Sequence, residues 1–163
     1  MPQDIVRELG FLTLGTRLRR LGEMLQASTQ TIMQHHGIDL PAAHYPFLAA
    51  LDRNGSLTVG ELADVIGISQ PGATRTIGQL AQAGLVTVAV SDDDQRRKQV
   101  SLTKAGQDLV SHSARVVWPR VEVAVQDLCG EFGNTFLDQL GAIENGLKQR
   151  PLINRTQEDK DPL

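Results

Sequence analysis

Two short segments carry side chains that suit recognition of a nucleic acid. Their hydrogen-bonding and cationic members are Ser69, Gln70, Thr74 and Arg75 in the first segment and Arg96, Arg97 and Lys98 in the second. Gln and Arg side chains form paired hydrogen bonds with base edges, and Arg and Lys also pair with phosphates. Such contacts require both segments to share one surface, so the elements that carry them decide the interpretation.

The first segment opens the second of two predicted helices. Thr58 and Glu61 have the spacing of a capping box, and the helix that they start is expected to end at Gly67. Ser69 is placed to cap the next helix, and Gly84 is placed to end it. Two helices joined by a short turn around a glycine form a helix-turn-helix, whose second helix can lie in the DNA major groove.

The second segment belongs to a predicted β-hairpin. Valines alternate with smaller or polar residues over 85–90, which predicts a strand that places Val86, Val88 and Val90 on one buried face. Residues 98–102 repeat the pattern as the return strand. The polar tip between the strands carries Arg96 and Arg97, and a narrow minor groove attracts inserted arginine. A helix-turn-helix followed by such a ribbon predicts a winged helix.

The order of several motifs makes this prediction more specific. They are Leu57 to Ala63, Ile68-Ser69, Thr74-Arg75, Ala83-Gly84-Leu85-Val86, Asp94-x-Arg96-Arg97 and Val100-Ser101-Leu102-Thr103-Lys104-Ala105-Gly106. In this order and spacing the chain resembles the MarR-type winged-helix transcriptional regulators, over about residues 10 to 148 by pattern. The resemblance implies a DNA-binding fold that is mainly α with a small β-wing.

The resemblance also implies roles for individual residues. Arg96 would be the wing arginine that contacts DNA, and Asp94 would brace it through a short ion pair. Arg97 and Lys98 would contact phosphates or make no contact. Arg75, in the first turns of the recognition helix, would reach base edges or phosphates.

Helices on both sides of the winged helix would hold it in place. Residues 4 to about 33 show one continuous helical pattern, and residues 42–52 show a second. A third helical pattern follows Gly106, with a kink expected at Pro119 and a break at 130–133. In the resembled family the first and last helices of two subunits interlock. The predicted organisation is therefore a single domain over 1–150, with dimerisation helices in 4–36 and 107–148, a winged helix over 42–106, and a disordered tail over 151–163.

The charge of the chain is unusual for a DNA-binding protein. It has 16 Lys and Arg against 19 Asp and Glu, which gives a net charge of −3. Salt screens charges that lie more than roughly 8–10 Å apart at cellular ionic strength, so local placement matters more than the sum. Arg75, Arg96, Arg97, Lys98 and Lys104 all fall within the predicted winged helix. We therefore expect DNA binding of modest, salt-sensitive affinity.

Other functions find little support in the sequence. No Gly-rich phosphate loop, nucleophile elbow or metal-binding helix motif occurs, so we predict a protein that is not an enzyme and needs no cofactor. His35, His36 and His44 lack the spacing of a metal site. The single Cys129 is expected to be a small buried hydrophobe. With one cysteine, no leader and no membrane-spanning run, we expect a cytoplasmic protein.

Together these features predict a homodimeric transcriptional regulator, a repressor, that binds a pseudo-palindromic operator through residues 58–104. The resemblance implies that a small aromatic or anionic effector binds between the dimer helices and the winged helix and changes the spacing of the recognition helices. Tyr45, His44 and Trp118 would line that pocket or belong to the core, so the effector residues stay unassigned. Two alternatives stay open: an interaction module without sequence-specific DNA binding, and a regulatory partner of a separately encoded acetyltransferase.

Overall fold

A computed structural model describes residues 3–90 and 98–156 of the chain. The fold is mainly helical with one small antiparallel sheet, which confirms the predicted fold class. Within these two ranges, no helix is long and apolar enough to cross a membrane. The chain divides into two compact units between Val121 and Glu122, and each unit is described by itself.

The first unit opens with two helices where the sequence predicts one. They are α1 (Ile5–Glu8) and α2 (Leu14–His35), and a 3-10 helix (Gly10–Thr13) separates them. The prediction of one helix over 4–33 is therefore wrong. Gly10 has a φ of +53°, which ends α1, and the hydroxyl of Thr13 donates a hydrogen bond to the carbonyl oxygen of Val6 at 2.6 Å. The apolar pattern continues across this break, so the sequence pattern does not reveal the helix boundary.

The remainder of the first unit is the winged helix and the helix that follows it. Its elements are a 3-10 helix (Ala42–His44), α3 (Tyr45–Asn54), β1 (Leu57–Thr58), α4 (Val59–Ile66), α5 (Gln70–Gln82), β2 (Val86–Val90), β3 (Lys98–Leu102) and α6 (Lys104–Val116). The predicted capping box is confirmed, since Thr58 N donates to Glu61 Oε2 at 2.7 Å and Glu61 N donates to Thr58 Oγ1 at 3.2 Å. Gly67 ends α4 in the left-handed conformation, as predicted.

The sheet has the strand order β1-β3-β2, and both pairings are antiparallel. Val88 faces Val100 across the β2–β3 pair, so these two side chains share a face. Val100, on the central strand, is fully buried, whereas Val88 is 43% exposed. The expectation that Val88 is buried is therefore wrong, although Val86, two residues earlier on the same face of β2, is only 3% exposed. The core covers the start of β2 and leaves the strand exposed toward the wing tip.

The core of the first unit lies between α3, the helix-turn-helix and the sheet. Its most deeply buried side chains are Met33, Leu48, Leu62, Leu80, Val100, Val110 and Val117. The amphipathic pattern predicts this arrangement, since Leu62 and Leu80 lie on the apolar faces expected for α4 and α5.

The second unit begins within a helix. Its elements are the end of α7 (Trp118–Cys129), a 3-10 helix (Gly130–Phe132), α8 (Gly133–Gln149) and a last 3-10 helix (Leu152–Arg155). The predicted kink near Pro119 is a helix boundary at Val117. Residues 151–163 were expected to lack regular structure. However, 152–155 form the last 3-10 helix, in which Arg155 Nε donates to the Arg150 carbonyl at 2.8 Å, and 157–163 lie outside the described residues.

Candidate nucleic-acid interface

The recognition helix α5 separates buried apolar residues from exposed polar ones. Its buried residues are Ala73, Ile77 and Leu80. The predicted contact residues at its N-terminal end, Ser69, Gln70, Thr74 and Arg75, are all exposed. The helix therefore places this polar group on the side away from its packing face, where a ligand can approach it.

Two of these four side chains already make hydrogen bonds within the helix. Ser69 Oγ accepts from Gly72 N at 3.3 Å and so caps the helix as predicted, and Thr74 Oγ1 donates to the Gln70 carbonyl at 2.9 Å. Within the described part of the chain, the Gln70 and Arg75 side chains have no hydrogen-bond or ion-pair partner. All of their donors are therefore available to a ligand.

The wing is described only in its strands. Lys98 is exposed at the start of β3, opposite Val90. Asp94, Arg96 and Arg97 lie outside the described residues, so their predicted contacts stay predictions.

One residue, Thr103, links the turn after the recognition helix to the end of β3 and the start of α6. Thr103 N donates to the Leu85 carbonyl at 3.0 Å, and Thr103 Oγ1 donates to the Gly84 carbonyl at 2.7 Å. The same hydroxyl accepts from Gly106 N at 3.0 Å and so caps α6. We call these three bonds the Thr103 joint. A Cβ atom on Gly106 would lie 2.1 Å from the Leu85 carbonyl oxygen, so only glycine fits there.

A cavity of about 670 Å³ lies beside the recognition helix and reaches α2 and α3. We call it the α2–α5 cavity. Phe47, Ile66 and Ile68 supply apolar walls, and Arg75 and Thr76 supply polar ones. Arg75 is its only charged lining residue within the described part of the chain. Arg75 therefore belongs both to the exposed face of α5 and to the lining of this cavity.

His44 is a buried polar residue whose surroundings the sequence does not predict. It is 7% exposed, and its Nδ1 atom has no hydrogen-bond partner among the described residues. Burial lowers the pKa of its imidazole, and an interaction with the Gln79 side chain partly opposes that shift. His44 and Tyr45 are buried and Trp118 is half-buried against the core, and none of the three lines the α2–α5 cavity.

The histidines and the single cysteine were also located in the structure. Over 3–90 and 98–156, no group of three His, Cys, Asp or Glu side chains could hold a metal ion. Cys129 was expected to be buried, but it is half-buried beside a shallow cavity that Gln126 and Glu131 also line. Cys129 is more exposed than expected because it lies in the second unit, where no residue of described burial is buried.

A helix-turn-helix followed by a β-ribbon defines this protein as a winged-helix protein. Residues 38–97 match the sequence profile of the MarR family. Over this segment the chain is similar to the MarR family, whose members are transcription regulators. The predicted resemblance is thereby confirmed.

Solved structures share this fold over most of the chain. The transcriptional repressor CouR, bound to a 23-mer DNA duplex, matches 83% of this chain and 96% of its own, with 24% identity and a TM-score of 0.70. Bordetella bronchiseptica BpsR, whose DNA binding is regulated by 6-hydroxynicotinic acid, matches 81% of this chain and 92% of its own, with 21% identity and a TM-score of 0.68. A MarR family regulator from Silicibacter pomeroyi matches 82% and 88%, with 27% identity and a TM-score of 0.59.

Proposed function

We propose that this protein is a homodimeric transcriptional repressor in the cytoplasm that binds a pseudo-palindromic DNA operator. The exposed face at the start of α5 carries the proposal. There Gln70 and Arg75 present donors that no residue in 3–90 or 98–156 pairs with, beside Ser69 and Thr74, while the opposite face of the helix is buried. Side chains at the start of a recognition helix are those that reach base edges in the major groove.

We infer the same kind of ligand from the structure of CouR, which is bound to duplex DNA. In the corresponding complex of this protein, Arg75 and Gln70 would contact bases or phosphates. Lys98, Arg96 and Arg97 would contact the backbone and minor groove from the wing, with Asp94 bracing Arg96.

The proposed dimer rests on the apolar surface of the second unit. None of its residues over 122–133 and 135–156 is buried. Its exposed apolar side chains are Val123, Leu128, Phe132, Leu137, Ile143, Leu147, Leu152 and Ile153. Exposed apolar surface of this extent marks an interaction site, and a second copy of the chain would give it a core.

The proposed effector site is the α2–α5 cavity. Its volume of about 670 Å³ falls within the roughly 300–1,000 Å³ that is common for small-molecule sites. Phe47 and Ile66 would contact an aromatic ring, and Arg75 would form a charge-assisted hydrogen bond with a carboxylate. The regulation of BpsR by an aromatic acid supports this class of ligand. An effector there would move α5 relative to α2 and so change the spacing of the two recognition helices.

DNA binding is tested by selecting genomic fragments on the purified protein. Recovered and scrambled duplexes are then compared by fluorescence anisotropy over a series of salt concentrations. We expect selective binding whose affinity falls steeply with salt, because several phosphates are neutralised. Arg75→Ala and Arg96→Ala should each weaken binding at least about tenfold, the typical loss for one arginine contact. Arg115→Ala, which changes an exposed arginine on α6, should leave it unchanged.

Absence of any selective fragment at low salt would replace this proposal with the protein-interaction module. The effector site is tested separately with small aromatic carboxylates such as benzoate. Compounds that bind should release the selected duplex, and Arg75→Ala should abolish their binding. If no aromatic acid binds in the millimolar range, the effector part of the proposal fails.

A further inference from the structure

We propose that Thr103 is a positioning residue that fixes the wing relative to the recognition helix. This inference rests on the proposed DNA binding, because it concerns how the two DNA-contacting elements are held together. It is carried by the Thr103 joint, in which one residue at the end of β3 makes two hydrogen bonds to the turn after α5 and one to the first turn of α6.

Thr103 lies where these elements meet. It directly follows Leu102, the last residue of β3, whose partner across the sheet is Val86 at the start of β2. Its backbone N–H and its hydroxyl bind the carbonyl oxygens of Leu85 and Gly84, which follow the recognition helix. The wing therefore connects to the end of α5 at its base through this residue as well as through the covalent chain.

The hydroxyl is suited to both of its partners. A threonine hydroxyl has one proton to donate and lone pairs to accept with. Here the proton goes to Gly84 O at 2.7 Å, and a lone pair accepts from Gly106 N at 3.0 Å. Capping α6 and fastening the end of α5 are thus two separable functions of one side chain.

Close packing makes the joint rigid. Gly106 brings the first turn of α6 against the Leu85 carbonyl, at a distance that leaves no room for a Cβ atom. A shift of the wing relative to α5 would therefore have to move α6 or break the bonds of Thr103. This geometry predicts that losing the hydroxyl loosens the pose of the wing, and that specific DNA binding suffers more than non-specific binding.

The experiment compares three substitutions in the full-length protein. Thr103→Val keeps the shape and removes both hydroxyl bonds. Thr103→Asp keeps the helix cap but cannot donate to Gly84, because a carboxylate only accepts. Thr103→Ser keeps both bonds. Thr58→Val, which removes the cap of α4 instead, is the matched control for loss of a capping hydroxyl.

The first measurement is the ratio of affinities for a selected and a scrambled duplex. Thr103→Val and Thr103→Asp should lower this ratio about tenfold, the effect of one ordinary hydrogen bond. Thr103→Ser and Thr58→Val should keep it within about twofold of the wild type, within the scatter of a single hydrogen bond. The ratio cancels the added charge of aspartate, which repels both duplexes. Equal ratios for Thr103→Val and the wild type would overturn the inference.

The second measurement is amide hydrogen exchange without DNA. Thr103→Val should speed exchange together at the end of α5, in β2 and β3, and at Gly106, whereas Thr58→Val should leave exchange at the end of α5, in β2 and at Gly106 unchanged. Faster exchange confined to Gly106 would reduce Thr103 to a helix cap and overturn the inference. If the wild-type protein selects no DNA, the proposed function fails, and hydrogen exchange still decides whether Thr103 positions the wing.

Discussion

The hydroxyl of Tyr45 donates a buried hydrogen bond to Ser113 Oγ across 2.9 Å. The direction follows from the neighbouring bond, because Ser113 Oγ gives its own proton to the Leu109 carbonyl at 2.7 Å. Tyr45 begins α3 and Ser113 lies in α6, so the bond joins the core of the winged helix to the helix that follows it. The Trp118 ring packs edge-on against Tyr45 with ring centroids 6.2 Å apart.

Removing the Tyr45 hydroxyl should therefore destabilise the first unit. In Tyr45→Phe, the Ser113 oxygen loses its donor inside the core, and we expect unfolding free energy to fall by about 1–3 kcal/mol. Urea denaturation followed by circular dichroism measures this. The double variant Tyr45→Phe/Ser113→Ala should lose less unfolding free energy than the two single variants lose in sum. Additive losses would show that the two side chains are not coupled.

Two glycines should respond in opposite directions to replacement by alanine. Gly106→Ala should destabilise the fold severely, because its Cβ would meet the Leu85 carbonyl oxygen at 2.1 Å. Gly78→Ala, in the exposed middle of α5 with open space around it, should stabilise the fold by about 0.5–1 kcal/mol. Melting temperatures of the two variants provide the check. A stable Gly106→Ala protein would contradict the close approach of α6.

Acid should destabilise the protein through His44. Burial lowers the pKa of His44 below its ordinary 6.5, so the unfolded chain takes up a proton at a higher pH than the folded protein does. Stability from this group is then complete above pH 6.5 and is lost as the pH falls toward the folded pKa. His44→Leu should flatten the dependence of unfolding free energy on pH between about 7 and 5.

The dimer proposal predicts that a charge on α8 weakens association. Leu137 is 65% exposed, so Leu137→Asp should cost the isolated chain little. Burial of a leucine at an interface contributes about 1.5–3 kcal/mol, so the dissociation constant should rise at least about tenfold. Sedimentation equilibrium measures it, and Gln139→Asp on the same helix is the control. A monomeric wild type would reject the dimer outright.

Local sequence signals predict the helix-turn-helix well. The pair Thr58 and Glu61 and the glycine at 67 act within one helical turn, and so they can be read without knowledge of the fold. The break at Gly10 is different. Gly15 and Gly22 lie inside α2 without ending it, so glycine alone does not distinguish a break from a tolerated helical position.

In the candidate site, too, local sequence predicts some features and tertiary contacts decide others. Helical periodicity alone predicts that Gln70 and Arg75 are exposed, because Ile77 and its apolar neighbours fix the buried face. The α2–α5 cavity and the Thr103 joint depend on residues far apart in sequence that approach in three dimensions. Thr103 and Gly84 are nineteen positions apart, and no local rule pairs them. The sequence likewise leaves open whether His44 lines a pocket or lies in the core, because its burial depends on packing that the sequence does not reveal.

The absence of a buried residue among the described residues of the second unit has a kinetic consequence. A segment that gains its interior only from a second copy completes its folding at the moment of collision. On the proposed dimer, the rate of maturation would then rise with the square of the concentration of new chains. When synthesis is slow, assembly of the proposed dimer would then lag behind translation.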